Sequence, residues 1–172
     1  INGLKYSNQS LTVLVNMFTA TKFAKSLGFK SLFYSTYDVI IDERDFGVIE
    51  KGFQEVTNGL NAYLGSLNTP FGKGIQTNGM FFNVDFFLNN FDDVRNAEDY
   101  NRACQQIGCQ NFLEDYLVNK LKGKERVELI HNNEETLIPH SGLGVASNSE
   151  YYSILPIDKE ENGYILYFYT YN

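Results

Sequence analysis

Apolar positions along the first third of the chain recur with helical spacing. Leu11, Leu14, Val15 and Phe18 share one face, and Met17, Ala20, Ala24 and Leu27 share a neighbouring one. Ser10 has the chemistry of an N-cap and Gly28 that of a terminating glycine, so the pattern predicts a helix over 11–27. A helix apolar over so much of its circumference is buried or packed on a partner. The stretch Leu11–Val15 also carries β-branched residues and has a short strand as its alternative. Ser31 to Ile41 reads as a strand, with Phe33, Ser35, Tyr37, Val39 and Ile41 on one face.

The clearest helical period follows. Phe46, Ile49, Phe53, Val56, Leu60 and Tyr63 recur at alternating spacings of three and four, with Asp45 placed to cap the start and Gly65 to end it. Gly47, Gly52 and Gly59 fall inside, each costing about 1 kcal/mol relative to Ala. Such a helix depends on tertiary packing, and its small residues permit close approach of another element.

Ser66 to Gly79 holds Pro70, Gly72, Gly74 and Gly79 and reads as a long loop. Met80 to Leu88 reads as a buried strand, and Asn89 to Asp93 as a polar turn. Asn96 to Lys122 reads as helical, broken at Gly108 and ended by Gly123. Strands are expected at Arg126–Ile130, Leu143–Ser147, Tyr151–Leu155 and Tyr164–Tyr171, with Asn162-Gly163 as a turn before the last. The fold class expected is therefore α+β in a single domain over 1–172. Helices with interleaved strands fill 1–123, and an antiparallel meander fills 124–172.

Composition sharpens this in a few respects. The chain has 172 residues, a formal net charge of -7, 43% hydrophobic residues and 3 Pro. Those values fit a folded domain rather than a disordered tract. The acidic balance disfavours nucleic acid as a partner, because a phosphate backbone needs a basic footprint. No apolar stretch approaches the length of a membrane span. The chain begins at Ile1 rather than Met, as a processed product or a fragment would, so the absence of a leader says nothing about compartment. The aromatic fraction is 15%, with 14 Phe, 12 Tyr and no Trp. An AT-rich coding sequence accounts for much of this, and an aromatic contact surface is the other explanation. A secreted, surface or virion-associated setting suits the composition better than a cytoplasmic one.

Candidate chemistry is sparse. Cys109 follows Gly108, where a second helix is expected to begin, and a helix N-terminus favours a thiolate. His140 opens a possible strand. A cysteine hydrolase or acyltransferase built on Cys109 and His140 needs this layout, with Asn148 or Asp158 to orient the imidazole and Gln105 or Gln106 as an oxyanion donor. No family signature flanks either residue, and the plainer reading makes Cys104 and Cys109 small buried hydrophobes beside a helix break. A disulfide between them requires that break to be real, since residues five apart on an unbroken helix diverge by about 140°.

The acidic residues Asp38, Asp42, Glu43 and Asp45, with Asp85, Asp92 and Asp93, are a candidate Mg²⁺ or acid–base cluster; caps and turns use the same residues routinely. Gly72-Lys73-Gly74 lacks the spacing of a phosphate loop. His131 and His140 have no third ligand at zinc spacing. No metal and no cofactor is therefore expected.

The function expected is a non-enzymatic structural or protein-interaction subunit of a larger assembly, such as a virion, a surface filament or a multi-subunit complex. Its partner is another protein or a copy of itself. Candidate contact residues are Met17 and Phe18 on the first helix and Tyr164, Tyr167, Tyr169 and Tyr171 on the last strand, whose two faces are both apolar or aromatic. The cysteine hydrolase is the alternative.

Overall fold

The computed structural model describes residues 2–35, 41, 45–69, 72–109 and 112–130. In chain order these form α1 (Asn2–Ser26), β1 (Ser31–Tyr34), α2 (Phe46–Thr57), β2 (Ala62–Thr69), β3 (Gly72–Asn83), α3 (Val84–Phe91), α4 (Ala97–Ile107), α5 (Leu113–Leu121) and β4 (Val127–Ile130). The class is α+β. The strands form one sheet in the order β1-β3-β2-β4. β3 pairs antiparallel with β1 and with β2, while β4 runs parallel to β2, so the sheet is mixed. The expected strands at 143–147, 151–155 and 164–171 lie outside the described residues, so the meander is not among the elements seen.

Both faces of the sheet are covered, and side chains sort between them with period two. On one face α2 closes a cluster of Val56, Tyr63 and Phe81, with Phe33, Ile49, Phe53, Leu60 and Ile130 against it. On the other, α1, α3, α4 and α5 cover the larger cluster, which takes Ala62 and Leu64 from β2, Met80 and Phe82 from β3, and Val127 and Leu129 from β4. Burial on both faces explains why Met80-Phe81-Phe82 reads as a continuous apolar run rather than an alternation.

Several elements depart from the sequence reading. α1 starts at Asn2, not after Ser10; Ser10 lies mid-helix with its side chain buried. Gly28 does end the helical turn, at φ 85. α2 stops at Thr57, not at Gly65. The cause is Gly59, whose φ of 115 turns the chain out of the helix while the Leu60 amide donates back to Glu55. Leu60 and Tyr63 continue the helical period because both enter the cluster that α2 covers, Tyr63 doing so from β2. Asp45 occupies the N-cap position of α2, but its backbone is already helical and its carboxylate makes no capping hydrogen bond.

The expected loop over 66–79 is instead most of the β2–β3 hairpin, paired from Ala62↔Phe82 to Thr69↔Gly72 with an irregularity between Leu64 and Ser66. Gly72 and Gly74 lie in paired strand, opposite Thr69 and Leu67, where a neighbouring strand supplies the order they lack. The strand expected over 80–88 ends at Asn83, whose side chain accepts from the Phe86 amide at 3.0 Å and starts α3. Asn89 to Phe91 are therefore helical. The break at Gly108 is real, and β4 falls at Val127–Ile130 as expected. Among the described residues no helix is long and apolar enough to cross a membrane.

Candidate functional site

Two features could carry function, a thiol pair at the end of α4 and the outer face of α1. The thiol pair depends on how α4 terminates. Gly108 adopts the left-handed conformation, φ 69 and ψ 31, and its amide together with that of Cys109 points back to the carbonyls of Gln105 and Cys104. The Cys109 amide reaches Cys104 O at 3.0 Å. This six-to-one closure is the Schellman arrangement, which brings the side chain three residues before the cap against the one two residues after it. Those two side chains are Cys104 and Cys109, and both join the larger core cluster as free thiols.

Cys104 is fully buried and Cys109 half-buried. The Cys109 thiol hydrogen-bonds to the Cys104 sulfur, which lowers the Cys104 pKa below the ordinary thiol value. The same contact, then burial, then the nearby Asp115 carboxylate push Cys109 far above it. Tyr100 Oη is sealed from solvent without a hydrogen bond of good geometry and faces Ser10 and the Cys104 thiol; burial raises its pKa well above the usual phenol value. Its ring lies 5.0 Å from that of Tyr116.

This geometry relocates Cys109. It follows the C-terminal turn of α4 rather than opening α5, which begins at Leu113 with Phe112 as its N-cap. A helix C-terminus concentrates carbonyl oxygens and offers no stabilisation to a thiolate. His140, Asn148 and Asp158 lie outside the described residues, so the structure does not place an imidazole beside Cys109.

Among the described residues, Asp45, Asp85, Asp92 and Asp93 do not come together as a cation site. Asp85, in the first turn of α3, pairs with Lys25 at 2.8 Å, which holds its carboxyl below the usual carboxylate value. Asp93 pairs with Lys120 at 2.8 Å. Asp45 is buried at the start of α2, and Asp38, Asp42 and Glu43 lie outside the described residues. Among the described residues no group of three His, Cys, Asp or Glu side chains could hold a metal ion. An open cleft of about 140 Å³ lies beside Asp93, Asp99, Arg102, Ala103 and Gln106. Arg102 there faces Glu98 and Asp99 at 3.5 and 3.7 Å, so its charge is matched by its own helix.

The outer face of α1 differs from the expected contact set. Met17 is fully buried in the core, and Phe18 is half-buried with the Lys22 ammonium 4.7 Å above its ring. Among the described residues the exposed large apolar side chains are Val15 (37%), Phe23 (48%) and Leu27 (51%), with Phe46 (60%) at the start of α2. Val15, Thr19 and Phe23 follow at intervals of four along one helical ridge of α1, and Leu27 continues the interval one residue past its end, its amide still donating to Phe23 O at 3.2 Å. The signal for this ridge is present in the sequence, but the apolar residues surround α1 so widely that periodicity alone does not say which stripe faces out. Tyr164, Tyr167, Tyr169 and Tyr171 lie outside the described residues. No protein-family model, no curated protein and no solved structure matches this chain.

Proposed function

We propose that this chain is a non-enzymatic structural or interaction subunit that assembles with copies of itself, using the outer ridge of α1. The exposed ridge of Val15, Phe23 and Leu27 supports this reading. The opposite side of the same helix already buries Leu14, Met17 and Ala24 in the core. A surface helix normally presents one apolar stripe and a polar remainder. Here a second apolar stripe faces outward, with the i, i+4 geometry that seats between the side chains of a facing helix.

The test is the mass of the particle in solution, by light scattering at several concentrations of the chain. The expected result is a mass that rises with concentration, and a constant mass near 19.7 kDa for the double variant Phe23→Asp, Leu27→Asp. A constant mass near 19.7 kDa for the unaltered chain overturns self-assembly.

A further inference from the structure

We propose that Cys104 and Cys109 form a reversible dithiol/disulfide site, oxidised by a low-molecular-weight disulfide that enters at Cys109. The site is made by the helix end itself. On a continuing helix these two side chains would diverge by about 140°. The left-handed Gly108 and the amide of Cys109 bonded to Cys104 O fold the chain back and set one sulfur against the other. Disulfide formation needs the two Cα atoms close, and the Schellman closure folds the C″ residue back onto C3 so that their side chains meet.

The two thiols also differ in access in the way a relay requires. Cys109 is half-buried and reachable from solvent, whereas Cys104 is sealed beneath it with Tyr100. A sulfur bonded to Cys109 lies within reach of a thiol that no external reagent meets directly. The hydrogen bond between the sulfurs gives the proton a path between them.

The chemistry is two thiol exchanges. The pair first loses one proton to solvent, the remaining proton passes from Cys109 to the Cys104 thiolate, and the Cys109 thiolate attacks one sulfur of the small disulfide. A Cys109 mixed disulfide forms, the S–S bond of the reagent breaks, and the first small thiolate leaves. Cys104 then yields its proton to that thiolate and attacks the Cys109 sulfur. The mixed disulfide breaks, and the second small thiolate leaves and takes a proton from solvent. Two protein thiols are oxidised to one disulfide, and one small disulfide is reduced to two thiols. The product staples the last turn of α4 to the segment that follows Gly108. It needs no metal, no additional oxidant and no second protein chain.

The test uses the full chain equilibrated against defined ratios of reduced and oxidised glutathione, then alkylated and weighed intact. The expected result is paired loss of both alkylation sites, without a persistent glutathione adduct, at a ratio independent of protein concentration. Peptide mapping should recover 104 joined to 109. Cys104→Ser should instead accumulate the Cys109–glutathione adduct, and Cys109→Ser should react at least tenfold more slowly than Cys104→Ser. Should Cys104→Ser fail to fold, the unaltered chain decides alone. Independent alkylation of the two thiols, a stable adduct on the unaltered chain, or a disulfide between chains overturns the proposal.

Discussion

Gly52 tests whether α2 lies on the sheet as closely as the structure has it. A Cβ built at Gly52 would sit 2.4 to 2.5 Å from three carbons of the Phe81 ring, inside any real contact distance. Phe81 cannot move aside easily. It is fully buried, and its ring is bracketed by Phe33 at 4.7 Å, Phe53 at 5.4 Å and Tyr63 at 6.2 Å between centroids. Two effects of Gly52→Ala oppose each other. Replacing Gly by Ala inside a helix stabilises by about 1 kcal/mol. Forcing a methyl into a closed core costs roughly 1–3 kcal/mol. With three ring atoms in overlap and aromatic neighbours on several sides, the upper part of that range applies, so the net effect is a loss of about 1–2 kcal/mol. Gly47 is the internal control, because a Cβ there meets nothing within 4 Å. Gly47→Ala should be neutral or stabilise by up to about 1 kcal/mol. The assay is urea unfolding at fixed pH, read as midpoint and slope for both variants. Opposite signs are expected, with Gly52→Ala partly rescued by Phe81→Leu in a double-mutant cycle. If Gly52→Ala stabilises as much as Gly47→Ala, α2 does not seat on Phe81, and the covered second face of the sheet is wrong.

The other predictions concern caps and titrating groups. Gly108→Ala should lower stability by about 1 kcal/mol, because its φ of 69 penalises any Cβ; an unchanged midpoint would contradict the left-handed cap on which the thiol pair depends. Asn83→Ala should cost about 1 kcal/mol through loss of the bond to the Phe86 amide, whereas a midpoint change below a few tenths would mean α3 starts elsewhere. Burial pushes the Tyr34 phenol up to about 12 from its ordinary 10.0, so its contribution to stability is complete below pH 10 and is lost as pH rises towards 12. There the unfolded chain binds fewer protons than the fold, and Tyr34→Phe should flatten that alkaline decline, measured by chemical unfolding at stepped pH. The Lys25 hydrogen bond lowers Asp85 below its ordinary 3.8, so its contribution is present above that pH and lost as pH falls beneath it. Lys25→Gln should weaken that acid dependence, and 0.5 M salt should do the same because the pair is exposed.

Much of the local structure was legible because it rests on local chemistry. Gly28, Gly108 and Gly123 each mark a chain reversal at positive φ, and each reads as a stop in the sequence. The helical stripes of α4 and α5 and the short strand β4 follow from spacing alone. Where the reading failed, a local signal lost to a neighbour distant in sequence. Gly72 and Gly74 look like loop residues, and pairing with β2 makes them strand. Asn83 carries a capping side chain, yet the aromatic run on both sides of it conceals the change from β3 to α3.

The candidate site divides in the same way. The requirement that any link between Cys104 and Cys109 needs a true break at Gly108 follows from helix geometry, and the break exists. That Cys109 ends one helix instead of opening the next could not be read from spacing, because it depends on where α5 begins. The α+β class, the breakers and the apolar excess of α1 were readable from spacing, since each depends on residues within a few turns of one another. Packing between distant elements was needed to settle that Met17 faces in and Phe23 out, that α2 stops at Thr57, and that a sheet covered on both faces lies between the two clusters. A helix apolar on two sides has no internal preference between them; what packs against it makes the choice.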